Sequence, residues 1–154
     1  MVHFHADIGM QDCLMISPAK FRQYIKPMYA ALFQPLRAAG IHVYLSSDGH
    51  LLELVDDLIE CGVSVHDPQL RANTLEGIAQ YYKGKLCIDL DLDRQSFPLS
   101  SPAQLKQQVK DSVDALNSPE GGLMMKAEIS DPNTPLENIE AICEAYEEYY
   151  IPPK

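Results

Sequence analysis

Residues 41–66 read IHVYLSSDGHLLELVDDLIECGVSVH, a stretch that predicts one complete strand–helix–strand unit. The β-rich run 41–45 predicts a strand that ends at the polar turn 46–49. Gly62 stands where a left-handed glycine ends a helix, and residues 63–66 predict the next strand. The apolar residues between the strands recur at helical spacing, at Leu51, Leu54, Val55, Leu58 and Ile59. Two strands joined by a helix, with no hairpin turn, are parallel.

The same alternation extends on both sides of this unit. Further strands are predicted at 2–6, 85–91 and 123–127, and further helices are expected to begin at Ser17-Pro18, Thr74, Ser101-Pro102 and Thr134-Pro135. The last two of these starts are interpreted as capping boxes. The first helix is expected to bury Phe21, Ile25, Met28, Leu32 and Leu36, with Pro27 and Pro35 kinking or interrupting it.

Five βα units indicate a parallel α/β fold, either a doubly wound sheet or an arc of a TIM (β/α)8 barrel. No GxGxxG or GxxxxGK[ST] motif follows a strand, which favours the barrel arc over a dinucleotide-binding or P-loop sheet. The length of 154 residues fits one domain over 1–150, with 151–154 as a tail.

The composition excludes several classes of partner. The chain has 12 basic and 22 acidic side chains, for a net charge of −10, which disfavours binding to nucleic acid or to anionic lipid. No apolar run approaches the length of a membrane span and no signal peptide is recognised, so we expect a cytosolic protein. The four cysteines have no CxxC spacing and are expected to be reduced, small core residues.

Every predicted strand is followed by a carboxylate. These are Asp7, Asp48, Asp67, the series Asp89, Asp91 and Asp93, and Glu128 with Asp131. Because the carboxyl ends of parallel strands meet at one edge, such a ring suits a divalent cation or a carboxylate of raised pKa acting as general acid or base. For any single aspartate, a turn or a helix cap is the plainer interpretation.

The histidines form no recognisable set. His3 and His5 alternate on one face of a strand, a spacing that chelates metals but more often places two half-buried rings in a sheet. His50 lies at the predicted edge and is the better candidate ligand. His42 and His66 are expected to be structural.

Five segments of the chain together resemble the uroporphyrinogen decarboxylase superfamily. They are 7–11 (DIGMQ) with 14–18 (LMISP), Pro27, 47–49 (SDG), 58–63 (LIECGV) and 133–139 (NTPLENI). The superfamily includes heme-pathway decarboxylases and cobamide-dependent methyltransferases that act with coenzyme M, all on a (β/α)8 barrel. The resemblance implies that these residues are the C-terminal part of such a barrel, with about five of its eight strands.

The resemblance also implies a site. In the methyltransferase branch the turn 46–49 would read His-x-Cys-Gly and another cysteine would stand near Glu128, and those three side chains bind a catalytic zinc. Here the matching residues are Ser46, Asp48 and Glu128, so these three are the candidate metal ligands, and Asp48 and Glu128 are the candidate catalytic residues. Candidate contacts to substrate are Asp7, Gln11, His50 and Gln69.

The leading hypothesis is a methyltransferase-like member of the superfamily, acting on a small molecule or with a corrinoid protein, with zinc as the metal the resemblance implies. The alternatives are a decarboxylase of the porphyrin pathway and a catalytically silent binding or assembly subunit, so whether the chain is an enzyme stays open. Since a five-stranded arc exposes two edges, we expect a homo-oligomer, or a partner chain that supplies the missing strands.

Overall fold

The computed structural model describes residues 1–150, so the predicted tail 151–154 lies outside the described residues. It contains one five-stranded sheet in which every neighbouring pair is parallel. The strands are β1 (Val2–His5), β2 (Val43–Ser46), β3 (Val65–His66), β4 (Cys87–Asp91) and β5 (Leu123–Lys126). Their spatial order follows the sequence from β1 to β5. A doubly wound sheet reverses its order at a switch point, whereas a barrel does not, so the barrel arc is confirmed.

Helices connect consecutive strands and cover one face of the sheet. They are α1 (Pro18–Lys20), α2 (Lys26–Ala38), α3 (Val55–Cys61), α4 (Leu70–Asn73), α5 (Leu75–Tyr81), α6 (Pro102–Leu116) and α7 (Leu136–Ala145). Two buried clusters lie between these helices and the sheet, one around Phe33 and Leu45 and the other around Leu90 and Val109. Within residues 1–150 no helix is long and apolar enough to cross a membrane.

The first helix buries a different face from the predicted one. Met28 and Leu32 are each 50% exposed, whereas Tyr29 and Phe33 are buried. A π-helical segment, Phe21–Ile25, separates α1 from α2. A π turn adds one residue to the helix, which rotates everything after it by about 100°. The buried positions therefore move from 28 and 32 to 29 and 33.

Helix starts follow the predicted caps except at the last helix. Ser17 and Thr74 accept backbone hydrogen bonds at their helices, and Ser101 forms a full capping box with Gln104. The second predicted capping box, at Thr134, is wrong. The cap position of α7 is Pro135, with no side-chain hydrogen bond, and the Thr134 amide instead donates to the Asp131 carbonyl in the preceding turn.

The two faces of the sheet differ in character. Register pairs Tyr44 with Val65 and Asp91 with Lys126 on the face that lacks helices, which is the inner face of a barrel. This inner face also carries His3 and His5, whose rings stand 4.6 Å apart. Both histidines are exposed, so the expectation of half-buried rings is wrong in this five-stranded arc.

Candidate functional site

Two glycine turns meet at the C-terminal edge of the sheet. Gly49 follows β2 with φ +91°, and a Cβ there would lie 2.4 Å from the carbonyl carbon of Gly9, which follows β1. The His50 amide donates to the Met10 carbonyl at 2.7 Å, and the Asp48 amide donates to Asp7 Oδ1 at 3.3 Å. Only glycine permits this approach. It brings the predicted site residues Asp7 and Asp48 together.

Asn73 fixes the Gly49 turn from below. Its side chain is fully buried, donates to the Gly49 carbonyl at 2.9 Å and accepts from the Leu51 amide at 2.9 Å. Gln69 adds a third bond, since its Oε1 accepts from the Gly49 amide at 2.9 Å. Part of the predicted substrate contact Gln69 is thus occupied in holding the turn.

His50 is also tied to the scaffold. Its Nδ1 lies 2.9 Å from the Ala72 carbonyl. A carbonyl oxygen only accepts, so Nδ1 carries the proton and Nε2 is left as the acceptor of the neutral ring. The predicted contact Gln11 is exposed and lines a small pocket together with Gln69.

Arg94 joins the two predicted catalytic carboxylates. It lies in the 3₁₀ turn Arg94–Ser96 that follows β4. Its guanidinium donates to Glu128 and lies 3.5 Å from Asp48 Oδ2. Asp91 Oδ2 is 3.6 Å from the same guanidinium. Asp48 and Glu128 therefore do come together, with a cation between them that the sequence interpretation missed.

This arrangement does not fit zinc. Ser46 Oγ donates to Asp67 Oδ2 at 2.7 Å, and the other two candidate ligands already pair with Arg94. Zinc prefers thiolate and imidazole ligands, and none is present in this set. In the described part of the chain, no three His, Cys, Asp or Glu side chains converge as metal ligands would. A metal thus stays a prediction of the resemblance, and no chemistry below depends on it.

Asp67 and Lys126 form an ion pair on the inner face of the sheet. Lys126 Nζ lies 2.8 Å from Asp67 Oδ2, and the carboxylate also accepts from Ser46 Oγ and from the Ser47 amide. Burial alone would raise the pKa of Asp67, but the hydrogen bonds from Lys126 and Ser46 outweigh it and hold the pKa below its usual value. Burial likewise lowers the pKa of Lys126, and Asp67 outweighs it, so that pKa is raised. Both groups are therefore charged at neutral pH.

Asp91 differs from Asp67 although both are buried. Asp91 is 3% exposed, and within residues 1–150 its Oδ1 has no hydrogen-bond partner. Burial raises the pKa of Asp91, and Arg94 and Lys126 offset only part of that effect. Two neighbouring carboxylates whose pKa values move in opposite directions are typical of acid–base sites. The sequence placed both residues at strand ends but did not distinguish them from the other aspartates.

Two cysteine predictions need correction. Cys61 is buried as expected and Cys87 is half-buried, but Cys13 and Cys143 are exposed. Cys13 lies in the loop after β1, and Cys143 lies on the outer side of α7, so neither joins the core. All four cysteines are free thiols.

Two structural histidines occupy contrasting sites. His66 is fully buried next to Tyr82, and within residues 1–150 neither of its ring nitrogens has a partner. Burial lowers its pKa to about 4. His42 is exposed and its Nδ1 lies 3.3 Å from Ser64 Oγ. Neither lies at the C-terminal edge.

Two openings in the surface deserve comparison. A cleft of about 620 Å³ lies at the N-terminal end of the strands and is lined in part by Arg37, His42 and Lys85. The pocket at the C-terminal edge has room for only about 20 Å³, and Asp91 and Arg94 line it. In parallel α/β folds the chemistry collects at the C-terminal edge. The charged cluster there makes it the better candidate despite its size.

Comparisons with known proteins agree with this architecture. The family model described as uroporphyrinogen decarboxylase (URO-D) matches residues 7–149. A solved structure of a methyltransferase from Methanosarcina mazei is similar, with a TM-score of 0.64 and 18% sequence identity. The match covers 97% of this chain and 42% of that one, so the chain spans less than half of the methyltransferase's length. No curated protein matches the chain. At this identity the structural similarity shows the fold alone.

Proposed function

The chain belongs to the uroporphyrinogen decarboxylase (URO-D) family, and from this premise we propose that it is a methyltransferase-like member with its site at the C-terminal edge of the sheet. The observation that carries the proposal is the Arg94 cluster, which links the loops after β2, β4 and β5 through Asp48, Asp91 and Glu128. A cluster that ties three strand ends together builds a charged, ordered floor for a small ligand. The fold neighbour, a methyltransferase, supports the choice of reaction.

The charge of this edge argues against the decarboxylase alternative. Its carboxylates outnumber its cations, which are Arg71, Arg94 and Lys126, and each of these cations already pairs with an aspartate or glutamate. A porphyrin-pathway substrate carrying many carboxylates would be repelled. A neutral thiol acceptor would not. In the proposed reaction the thiol loses its proton to a base of the site, and the sulfur attacks the methyl carbon of a methylated corrinoid. The donor keeps the electron pair of the bond that breaks.

The proposal is tested by methyl transfer from a methylated corrinoid to 2-mercaptoethanol, with the methyl thioether measured by mass spectrometry. The Asp48→Ala/Glu128→Ala double variant should lose the activity, because both loops lose their tie to Arg94. Asp114→Ala is the matched control, since Asp114 pairs with Lys110 on the exposed side of α6. Absence of product with the unaltered chain, or equal rates in the double variant, would contradict the proposal.

A silent assembly subunit is the second candidate, and the edges of the sheet favour it. The backbone of Val2 and Ala6 bonds to β2, which leaves the backbone groups of His3 and His5 on the open side of β1. On the far side, Tyr150 donates to the Leu123 carbonyl at 2.7 Å and covers part of β5. An open parallel edge is normally paired in a barrel. We propose that strands from a second copy or from a different chain pair with β1.

Native mass spectrometry tests this second candidate. A complex larger than one 17.2 kDa chain that dissociates when His3 is replaced by proline would support pairing at β1, because proline removes the backbone donor on the open side. The His42→Pro variant is not a suitable control because its carbonyl neighbours bond to β1, so Gln23→Ala on the exposed π segment serves instead. A single chain at micromolar concentration would refute the pairing.

A further inference from the structure

The inference concerns Asp91 and rests on the proposed function of the edge site. Asp91 ends β4 on the inner face of the sheet, opposite Lys126 on β5. One of its oxygens, Oδ2, faces Arg94 at 3.6 Å. The other, Oδ1, is buried and has no hydrogen-bond partner among residues 1–150. A buried carboxylate oxygen without a partner is costly, and native proteins rarely keep one without a use.

The free oxygen belongs to a residue that lines a small pocket. Gln11, Gln69 and Arg71 line the same pocket, and its free space is about 20 Å³. That space holds one water-sized group. The pocket is balanced in charge, because Asp91 and Asp93 are matched by Arg71 and Arg94. Such a pocket suits the uncharged end of a small molecule better than a free ion.

We infer that Asp91 is the proton acceptor of this site, and that its Oδ1 receives the proton of a ligand's S–H or O–H group seated in the pocket. In the step, the ligand's X–H bond breaks, an O–H bond forms on Asp91, and the electron pair stays on X. The resulting anion lies beside Arg94, whose positive charge stabilises it. For the acceptor of the proposed methyl transfer, this anion is the nucleophile.

The charged groups around Asp91 support this role. Arg94 and Lys126 favour the ionised carboxylate, whereas Asp48 and Asp67 disfavour it, and burial adds to the latter. Tyr146, from the turn after α7, also lies close enough for its pKa to be affected by Asp91. The balance leaves the pKa of Asp91 above that of an ordinary aspartate. A base of raised pKa takes a proton from a thiol more readily than an ordinary carboxylate does.

The first test is a carboxyl ¹³C NMR titration of the whole chain labelled at aspartate, with the Asp91→Asn spectrum identifying the Asp91 resonance. Asp91 should titrate above the usual aspartate midpoint of about 3.9. Adding 2-mercaptoethanol should shift this resonance. A midpoint at or below the usual value, or a resonance that the thiol leaves unmoved, would overturn the inference. Because this readout uses the unaltered chain, it does not depend on the folding of a variant.

The second test separates Asp91 from the proposed function. Asp91→Asn should weaken binding of 2-mercaptoethanol at pH 7 at least tenfold, while Asp114→Asn, on exposed α6, should bind as the unaltered chain does. If the unaltered chain transfers no methyl group but the Asp91 binding and titration results hold, the proposed function fails and the inference stands. If Asp91→Asn transfers methyl groups at the unaltered rate, the inference fails and the proposed function stands.

Discussion

Replacing Lys126 by methionine should destabilise the chain by leaving Asp67 charged and buried. Removing one partner of a fully buried ion pair costs about 3–5 kcal/mol. Here the Lys126 side chain is 38% exposed, and Ser46 and the Ser47 amide still bond to Asp67. Solvent screening and these remaining bonds reduce the expected loss to about 1–3 kcal/mol. For a domain of this size that lowers Tm by about 3–10 °C.

The pH dependence gives the prediction its sign. The folded-state pKa of Asp67 lies below its usual value, so its stabilising contribution is full above the unfolded pKa near about 3.9. It is lost as the pH falls through the folded pKa. In Lys126→Met the folded pKa rises, so this contribution disappears at a higher pH than in the unaltered chain.

Urea unfolding at pH 7 measures the loss, and Asp67→Asn supplies the control background. Lys126→Met should cost at most half as much in the Asp67→Asn background, because the buried charge is already absent. Equal losses in both backgrounds, or no loss at pH 7, would refute the reasoning that the two residues act as a buried pair.

Three further predictions concern the scaffold. His66 should make stability fall by up to about 3 kcal/mol as pH drops from about 6.5 to 4, because only the unfolded state takes up a proton there; His66→Leu should flatten this slope in urea titrations, and an unchanged slope would count against it. Gly49→Ala should lower Tm and abolish thiol binding, because its Cβ would strike the Gly9 backbone; wild-type melting would disprove the clash. Asn73→Ala should cost about 2–3 kcal/mol in urea unfolding, since it leaves buried backbone groups unpaired, and a loss below 0.5 kcal/mol, on the order of a surface substitution, would show that the Gly49 turn does not depend on it.

Much of the fold was predictable because it depends on local patterns. Strand and helix alternation, the Ser101 cap and the Gly62 helix end are fixed by residues within a few positions of each other. The buried face of the first helix was not predictable, because a π turn leaves no clear mark in the sequence and moves the burial from Met28 to Tyr29.

The candidate site was predictable in position but not in its pairing. Carboxylates after each strand placed Asp48 and Glu128 at one edge. That Arg94 lies between them depends on side-chain reach across three loops, which no spacing encodes. Lys126 left a weak signal, since it follows Met124 at the two-residue period of a strand face, and register then sets it opposite Asp91.

The most direct test of the edge site is an amide ¹H–¹⁵N NMR map of the whole chain titrated with 2-mercaptoethanol. The account predicts that shifts concentrate at Gly49, Gln69, Asp91 and Arg94, around the pocket at the C-terminal edge. Shifts confined to the larger cleft near Arg37, at the opposite end of the strands, or no shifts at millimolar thiol, would contradict it.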